Sequence, residues 1–176
     1  MTHAKVRHTA SPVAVVTGAG SPSGIGFACA RALAATHQLV IAATSQRIDD
    51  RVDELTAAGA DAVGFIGDLT DPAQARRLVD VALERWGRLD ALVNNAGMVA
   101  TTGSEEQASA QHTDDEQWRA AVSRNLDTTF FVTRSALAPM VAQDLVGSCA
   151  WVRCRVPSCP TVATRPTRQP RPASSA

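Results

Sequence analysis

The sequence of 176 residues contains no tyrosine, and its single lysine, Lys5, stands against sixteen arginines. Such a chain cannot carry proton transfer by a tyrosine hydroxyl that a nearby lysine activates. No apolar run reaches the ~18 residues of a membrane span. The polar residues 1–12 precede only a short apolar run, so no export-signal core is predicted. We therefore expect a cytoplasmic protein without disulfides and without a membrane partner.

Neither the net charge nor the candidate metal ligands indicate a binding partner. The formal net charge is zero, so the composition does not indicate nucleic acid as a partner. Cys149, Cys154 and Cys159 are evenly spaced by five, with no close Cys-x-x-Cys pair, and all four histidines precede them. A structural zinc site needs about four ligands. No metal site is predicted.

The composition changes near Gly147. Up to that residue the chain holds all seventeen acidic residues and twelve basic ones, whereas the last 29 residues hold five arginines, five of the nine prolines and no acid. Residues 1–147 therefore read as one folded domain, and residues 148–176 as a Pro/Arg-rich tail without helix or strand periodicity. Such strings are most often disordered, and a polyproline ligand at residues 157–160 is the alternative.

The first part alternates strand and helix patterns. Strands are predicted at residues 13–16, 39–43, 62–66 and 89–93, and helices at 24–36, 50–58, 72–86 and from about 116 onward. Asp71-Pro72 is a typical helix start, and Thr113 with Glu116 is predicted to form a capping box. Parallel neighbours need helical crossovers, so the fold class is α/β, with a Rossmann-type doubly wound parallel sheet.

A glycine-rich loop joins the first strand to the first helix, reading Thr-Gly-Ala-Gly-Ser-Pro-Ser-Gly-Ile-Gly from residue 17. Glycines allow the backbone to approach a pyrophosphate, and the following helix N-terminus offers free N–H groups. The loop alone could be a tight turn, and its position between strand and helix favours phosphate binding.

Three further segments carry a resemblance to a known family. Asn94-Asn95-Ala96-Gly97 follows the fourth strand, Asn125-Leu126 lies in the long helical region, and Asp68-Leu69 follows the third strand. Together with the glycine loop, this pattern resembles the classical short-chain dehydrogenase/reductase family over about residues 12–146. The C-terminal half of the family's fold would then be missing.

The resemblance implies a set of site residues. Asn125 would be the active-site asparagine that positions a proton-relay water, and its alternative role is that of a helix-kink residue binding backbone. Asp68 would meet the adenine, with Leu69 beside it. The other cofactor-binding positions are those of the glycine loop and of the turn after the fourth strand: Gly18, Ser23, Gly24, Ile25, Gly26, Asn95, Ala96 and Gly97.

Two features bear on the cofactor. Five residues separate Gly18 from Gly24, where the family usually has three, so the phosphate contacts of the loop stay open. After the second strand, Thr44, Ser45 and Arg47 precede any acid. An acid there would select NAD, whereas hydroxyls and an arginine suit a 2′-phosphate. The expected cofactor is NADP(H) in preference to NAD(H), and a solvated Arg47 without a ligand is the alternative.

The resemblance implies an oxidoreductase acting on a small-molecule carbonyl/alcohol pair, with a 3-oxoacyl-thioester reductase as the nearest type. Homo-oligomers would form through the helix at residues 125–143. The family's proton-transfer pair, a tyrosine and a lysine four residues later, is missing. The alternative is therefore a catalytically inactive, truncated dinucleotide-binding remnant.

A slipped reading frame near Gly147 is a second explanation for the missing pair. Reading the tail one base out of frame permits serine before residue 157 and tyrosine at Thr161 and Thr167. On this reading the codon across Pro170 and Arg171 ends in C-G and gives no lysine. If the tail replaces a fifth strand, the fourth strand becomes an exposed apolar edge, and the isolated chain should be poorly soluble.

Overall fold

The computed structural model describes residues 11–97, 111 and 113–143, together with the backbone of residues 149–151. It contains five parallel strands, β1 Val13–Thr17, β2 Gln38–Ala43, β3 Ala62–Ile66, β4 Ala91–Asn94 and β5 Cys149–Trp151. Their spatial order is β3-β2-β1-β4-β5. This is the doubly wound arrangement that the alternating pattern predicts.

In the described part of the chain, five α-helices and one π-helical turn accompany the sheet. They are α1 Ile25–Leu33, α2 Arg47–Ala57, α3 Pro72–Trp86, α4 Asp115–Val122, the π turn Ser123–Asp127 and α5 Thr128–Ala142. One buried cluster holds α3 and α5 against the sheet, and a second lies on the side of α1 and α2. Among these helices, none has the length and apolar character needed to cross a membrane.

Local signals place α3 where the sequence predicts it. The Asp71 carboxylate accepts a hydrogen bond from Ala73 N, and Pro72 follows in the first turn, where its missing N–H costs nothing. Gly87 ends the helix with φ 71°, a conformation that glycine adopts without strain. The hydrogen bonds that Asp71 accepts from Ala73 N and from the Gln74 side chain hold the pKa of Asp71 below its ordinary value.

The predicted capping box is displaced by one residue. Asp114, not Thr113, is the N-cap of α4, and its partner is Gln117, not Glu116. Asp114 accepts from Gln117 N, while the Gln117 side chain accepts from Asp114 N. Both patterns fit the spacing of a capping box, and an aspartate is as good a cap as a threonine.

The expectation that the tail replaces a fifth strand is wrong at its first residues. β5 pairs in parallel with β4, with Leu92 opposite Cys149 and Asn94 opposite Trp151. β4 is therefore an internal strand here and not the exposed edge. β5 has three residues, too few to show a periodicity in the sequence. The expectations for the tail after Trp151 lie outside the described residues.

β4 also begins two residues later than predicted, because Leu89 and Asp90 are used in the preceding loop. The Asp90 carboxylate accepts from Val13 N at 2.7 Å and forms an ion pair with Arg88 at 2.6 Å. Burial alone would raise the pKa of Asp90, but the hydrogen bonds from Arg88 and Val13 outweigh it and hold the pKa below its ordinary value. This cluster joins β1 to β4 at the amino-terminal edge of the sheet.

Candidate functional site

The predicted site residues gather at the carboxyl edge of the sheet. Residues 18–24 follow β1, residues 44–46 follow β2, residues 67–71 follow β3, and residues 95–97 follow β4. In open parallel sheets, ligands bind in the crevice outside this edge. The remaining predicted residues lie in the first turns of α1 and α2, or in the π turn, which the loop after β4 touches.

The glycines of the first loop permit backbone contacts that no side chain would allow. Gly18 has φ 69°, and a Cβ there would lie 2.9 Å from Ala96 Cα. A Cβ on Gly26 would lie 2.5 Å from both the Gly18 carbonyl oxygen and Asn95 Nδ2. Larger residues at these two positions would force the β1 loop, α1 and the β4 loop apart.

Asn95 and Thr17 hold these three segments together. Asn95 Nδ2 donates to the Gly18 carbonyl at 2.9 Å. The buried Thr17 hydroxyl accepts from Asn95 N and Ala96 N, both at 2.9 Å, and donates to the Val93 carbonyl. The Asn95 side chain thus fixes the glycine loop, a role in addition to the cofactor binding that the resemblance implies. Thr17 was not predicted, because its partners lie more than 75 residues away.

The N-terminus of α1 is open toward the crevice. Its N-cap is Gly24, no side chain caps it, and its first turn contains no acid. The N–H groups and the positive end of the dipole are therefore available to an anion. With the close-packed glycines, these features fit the diphosphate of a dinucleotide.

The two extra residues of the loop are accommodated in an exposed turn. Ala19 N donates to the Ala42 carbonyl, and a Cβ on Gly20 would lie 2.9 Å from Ala43 Cβ, so residues 19–20 stay on the end of β2. The chain then turns, with Gly24 N donating to the Ser21 carbonyl. Ser23 is exposed on this turn, next to the start of α1.

The end of β2 presents a cation beside two hydroxyls. α2 begins at Arg47, not near residue 50 as predicted, so Arg47 lies in the first turn of that helix. Its Nε donates to Ser45 Oγ at 3.4 Å, and both Arg47 and Thr44 are exposed. A guanidinium and two hydroxyls therefore lie together at the carboxyl end of β2.

Asp68 and Leu69 have opposite surroundings after β3. Leu69 is 6% exposed and belongs to the core on the α3 side. Asp68 is exposed, and its Oδ1 accepts from both Thr70 N and Thr70 Oγ1. Its Oδ2 makes no hydrogen bond within the described part of the chain.

Asn125 lies in the π turn, against the loop after β4. A Cβ on Gly97, whose φ is 117°, would lie 3.0 Å from the Arg124 carbonyl oxygen and 3.1 Å from Asn125 Oδ1. Asn125 Nδ2 donates to the Ala121 carbonyl, and the Asn125 carbonyl accepts from Thr129 Oγ1, both at 2.8 Å. The Asn125 side chain therefore binds the backbone of its own helix, which is the alternative role given above. π turns inside α-helices frequently occur at functional sites.

Asn94, which precedes Asn95 at the end of β4, was not predicted as a site residue. It is 6% exposed, and its Nδ2 donates to Thr133 Oγ1 on α5 at 2.9 Å. Its Oδ1 is buried without a hydrogen-bond partner among the described residues. Asn94 thus links β4 to α5, just as Asn95 links β4 to the glycine loop.

Comparison with known proteins gives one consistent picture. The family model described as short chain dehydrogenase matches residues 12–149. The chain is similar to the Streptomyces violaceoruber protein named granaticin polyketide synthase putative ketoacyl reductase 1, with 41% identity over 130 residues. This match covers 73% of the chain and 45% of the relative. The chain spans about half the length of the curated relatives it matches.

Two solved structures are similar in fold. A variant of the actinorhodin polyketide ketoreductase, solved with NADPH, has a TM-score of 0.67 and 33% identity, and the match covers 76% of this chain and 49% of that one. A 3-oxoacyl-[acyl-carrier protein] reductase from Brucella melitensis, solved with NAD, has a TM-score of 0.68 and 33% identity over 78% of this chain and 52% of that one. Both nicotinamide cofactors thus occur among the similar structures.

Proposed function

Because this chain belongs to the short-chain dehydrogenase family, we propose that it binds a nicotinamide adenine dinucleotide across the carboxyl edge of its sheet. The observation that carries the proposal is the open N-terminus of α1 above the mutually packed Gly18 and Gly26. Backbone N–H groups from Ile25 onward would hold the diphosphate, while Asn95 and Thr17 fix the glycine loop and the loop after β4 relative to each other. When bound, the nicotinamide supplies or accepts a hydride.

The proposed preference is for NADP(H). Arg47 would pair with the 2′-phosphate, and Ser45, which accepts a hydrogen bond from Arg47, would hold the guanidinium toward it. Charge-assisted hydrogen bonds to phosphate are among the strong ones. No carboxylate stands between Ala43 and Arg47 to repel that phosphate or to bind the 2′-hydroxyl of NAD.

The proposed reaction is the interconversion of a small carbonyl compound and its alcohol in the cytoplasm, with a 3-oxoacyl thioester as the substrate type. Support comes from the reductases to which the chain is similar. Asn125 would serve at the reacting end, because the π turn brings it beside Gly97 and the end of β4. Its main-chain or side-chain groups would order a water molecule there.

The second candidate is a dinucleotide-binding remnant without turnover, and the absence of tyrosine and of any lysine after Lys5 favours it. A shifted reading frame would reverse this conclusion. It can also restore the lysine, which codons for Arg171 that begin with C-G do not permit. Arginine is also encoded by AGA and AGG. With an AG-type codon for Arg171 and CCA for Pro170, the shifted codon is AAG, a lysine four places after the tyrosine at Thr167. Sequencing the gene from the codon of Asn125 onward distinguishes the two candidates.

The test of cofactor binding is a titration of the full chain with NADPH and with NADH. We expect NADPH to bind more tightly, and Arg47→Asp to weaken NADPH binding about tenfold or more with little effect on NADH, because a hydrogen bond to a charged group contributes about 1.5–3 kcal/mol. Arg119→Asp, on the exposed surface of α4, is the matched control.

The outcomes separate the parts of the proposal. A chain that binds neither dinucleotide contradicts the whole proposal. An equal loss of affinity for NADPH and NADH in Arg47→Asp contradicts the role of Arg47. Carbonyl-dependent loss of NADPH absorbance identifies an enzyme, whereas binding without turnover identifies the remnant.

A further inference from the structure

Gln74, in the first turn of α3, contacts the loop after β3 at two points. Its Oε1 accepts from Asp68 N at 2.8 Å, and its Nε2 donates to Asp71 Oδ2 at 3.2 Å. A reversed amide would set donor against donor at Asp68 N and oxygen against oxygen at Asp71. The amide therefore has one orientation, fixed at both ends.

The loop is packed directly against this amide. A Cβ on Gly67 would lie 2.8 Å from Gln74 Oε1 and 2.6 Å from Phe65 Cε1. Gly67 N in turn donates to the Ala43 carbonyl at the end of β2. Gln74 thus occupies the space that a side chain on Gly67 would take, and holds the backbone of residues 67–68 in one position.

The fixed backbone of residues 67–68 determines which carboxylate oxygen of Asp68 is available to a ligand. Asp68 Oδ1 accepts from both groups of Thr70, whereas Oδ2 has no hydrogen-bond partner among the described residues, and Asp68 is exposed. Leu69 anchors the same loop in the core. A single free acceptor oxygen on a fixed backbone can select a ring that presents an amino group, because a carbonyl at the same place would set oxygen against oxygen.

We propose that Gln74 is a positioning residue for base recognition, holding Asp68 so that its Oδ2 selects a 6-amino purine over a 6-oxo purine. This inference rests on the proposed function, since the purine is that of the dinucleotide. Gln74 itself does not touch the base. Its loss would let the Asp68 backbone and carboxylate reorient, so that discrimination at the base falls while the diphosphate and nicotinamide ends are unaffected.

The test compares the full chain with two Gln74 variants and a matched control. NADPH and reduced nicotinamide hypoxanthine dinucleotide phosphate, which differ only at purine position 6 and the adjoining ring nitrogen, are each titrated by fluorescence. Gln74→Met keeps the volume and removes both hydrogen bonds, whereas Gln74→Glu keeps the acceptor for Asp68 N. The control is Gln143→Met, because Gln143 accepts from Leu89 N in the same way at the opposite edge of the sheet.

We expect the natural chain to bind the adenine form about tenfold more tightly, the difference that one hydrogen bond to a charged group makes. In Gln74→Met the ratio should fall to about twofold or less, Gln74→Glu should retain more of it, and Gln143→Met should leave it unchanged even if the melting temperature falls. If Gln74→Met does not melt cooperatively, Gln74→Lys replaces it, since lysine offers no acceptor to Asp68 N but pairs with Asp71.

The possible failures are distinguishable. A natural chain that binds both dinucleotides equally, or a Gln74→Met chain with an unchanged ratio, overturns the role of Gln74 and leaves the proposed cofactor binding standing. A natural chain that binds neither dinucleotide overturns both. An equal loss of the ratio in Gln143→Met would show a general loosening of the fold and would likewise overturn the specific role.

Discussion

Asp90 shows how single residues at the amino-terminal edge support a site at the other end. Its carboxylate satisfies Val13 N and pairs with Arg88, and both charged side chains are largely buried. Removing one partner of such a pair leaves the other charge without compensation in a poorly solvated place. The cluster fixes the start of β1 relative to β4, and hence the register of the loops that follow them.

Asp90→Asn is therefore expected to lower the free energy of unfolding by about 1–3 kcal/mol at pH 7. The pKa of Asp90 is lowered in the folded chain, so its contribution is present above the unfolded-state pKa of about 4 and is lost as the pH falls through the folded-state value. Denaturant melts at pH 7 and pH 3 should show the difference shrinking in acid. Asp53→Asn, at an exposed position on α2, should change little at either pH.

Site residues were predictable where the side chain or its absence is itself the signal. The loop glycines, Asp68 and the turn Asn95-Ala96-Gly97 could be named from order and spacing. Thr17, Asn94 and Gln74 could not, because a hydroxyl or an amide gains its role from neighbours far along the chain. Thr17 and Asn95 are separated by 78 positions, and only pairing of β1 with β4 brings them together.

At the scale of elements, strong terminal signals made α3 predictable, and the absence of a signal hid the π turn. The sequence predicts one continuous helical region from about residue 116, with apolar residues at Val122, Leu126, Phe130, Val132 and Leu137. In the structure Val132 is buried, whereas Leu126, Phe130 and Leu137 are exposed. Val132 lies about 200° around α5 from Phe130, so the two side chains face different sides of that helix. The π turn before α5 is held by a local hydrogen bond from Asn125 to the Ala121 carbonyl and by contact with Gly97, and only the second is a tertiary feature. β5 was missed for a similar reason, since pairing with β4 defines it.

α4 should open more easily than the rest of the structure. It contains no buried residue, so its capping box and its contact with the π turn hold it in place. Asp114→Ala should cost about 1 kcal/mol locally. Hydrogen exchange should then be faster in residues 115–122 and unchanged in β1 and β2. Equal acceleration in the central strands would contradict this, and Asp53→Ala is the surface control.

At the scale of the whole molecule, four exposed apolar side chains line one stripe of the π turn and α5. They are Leu126, Phe130, Leu137 and Val141, each between 47% and 71% exposed. Contiguous apolar surface of this kind is typical of an interaction face. The expectation of a homo-oligomer through residues 125–143 stays a prediction, and this stripe supports it.

Light scattering should find concentration-dependent self-association or aggregation of the natural chain. Leu137→Glu with Val141→Glu should move the population toward monomer, because each buried aliphatic side chain contributes about 1.5–3 kcal/mol. Ala57→Glu, at an exposed end of α2, should leave it unchanged. A natural chain that is a monodisperse, cooperatively melting monomer at all concentrations would contradict this prediction. The poor solubility expected from an exposed β4 loses its premise, because β4 is covered by β5.

The pairing of Asn94 with Trp151 also marks a recombination junction. Half of the relatives' length lies beyond this chain, and a parallel strand in known register is the natural place to join two halves. Residues 1–151 fused to the second half of a related reductase would carry the proposed dinucleotide crevice into a chimera. The three residues of β5 therefore define a junction at which the two halves can be joined in a known register.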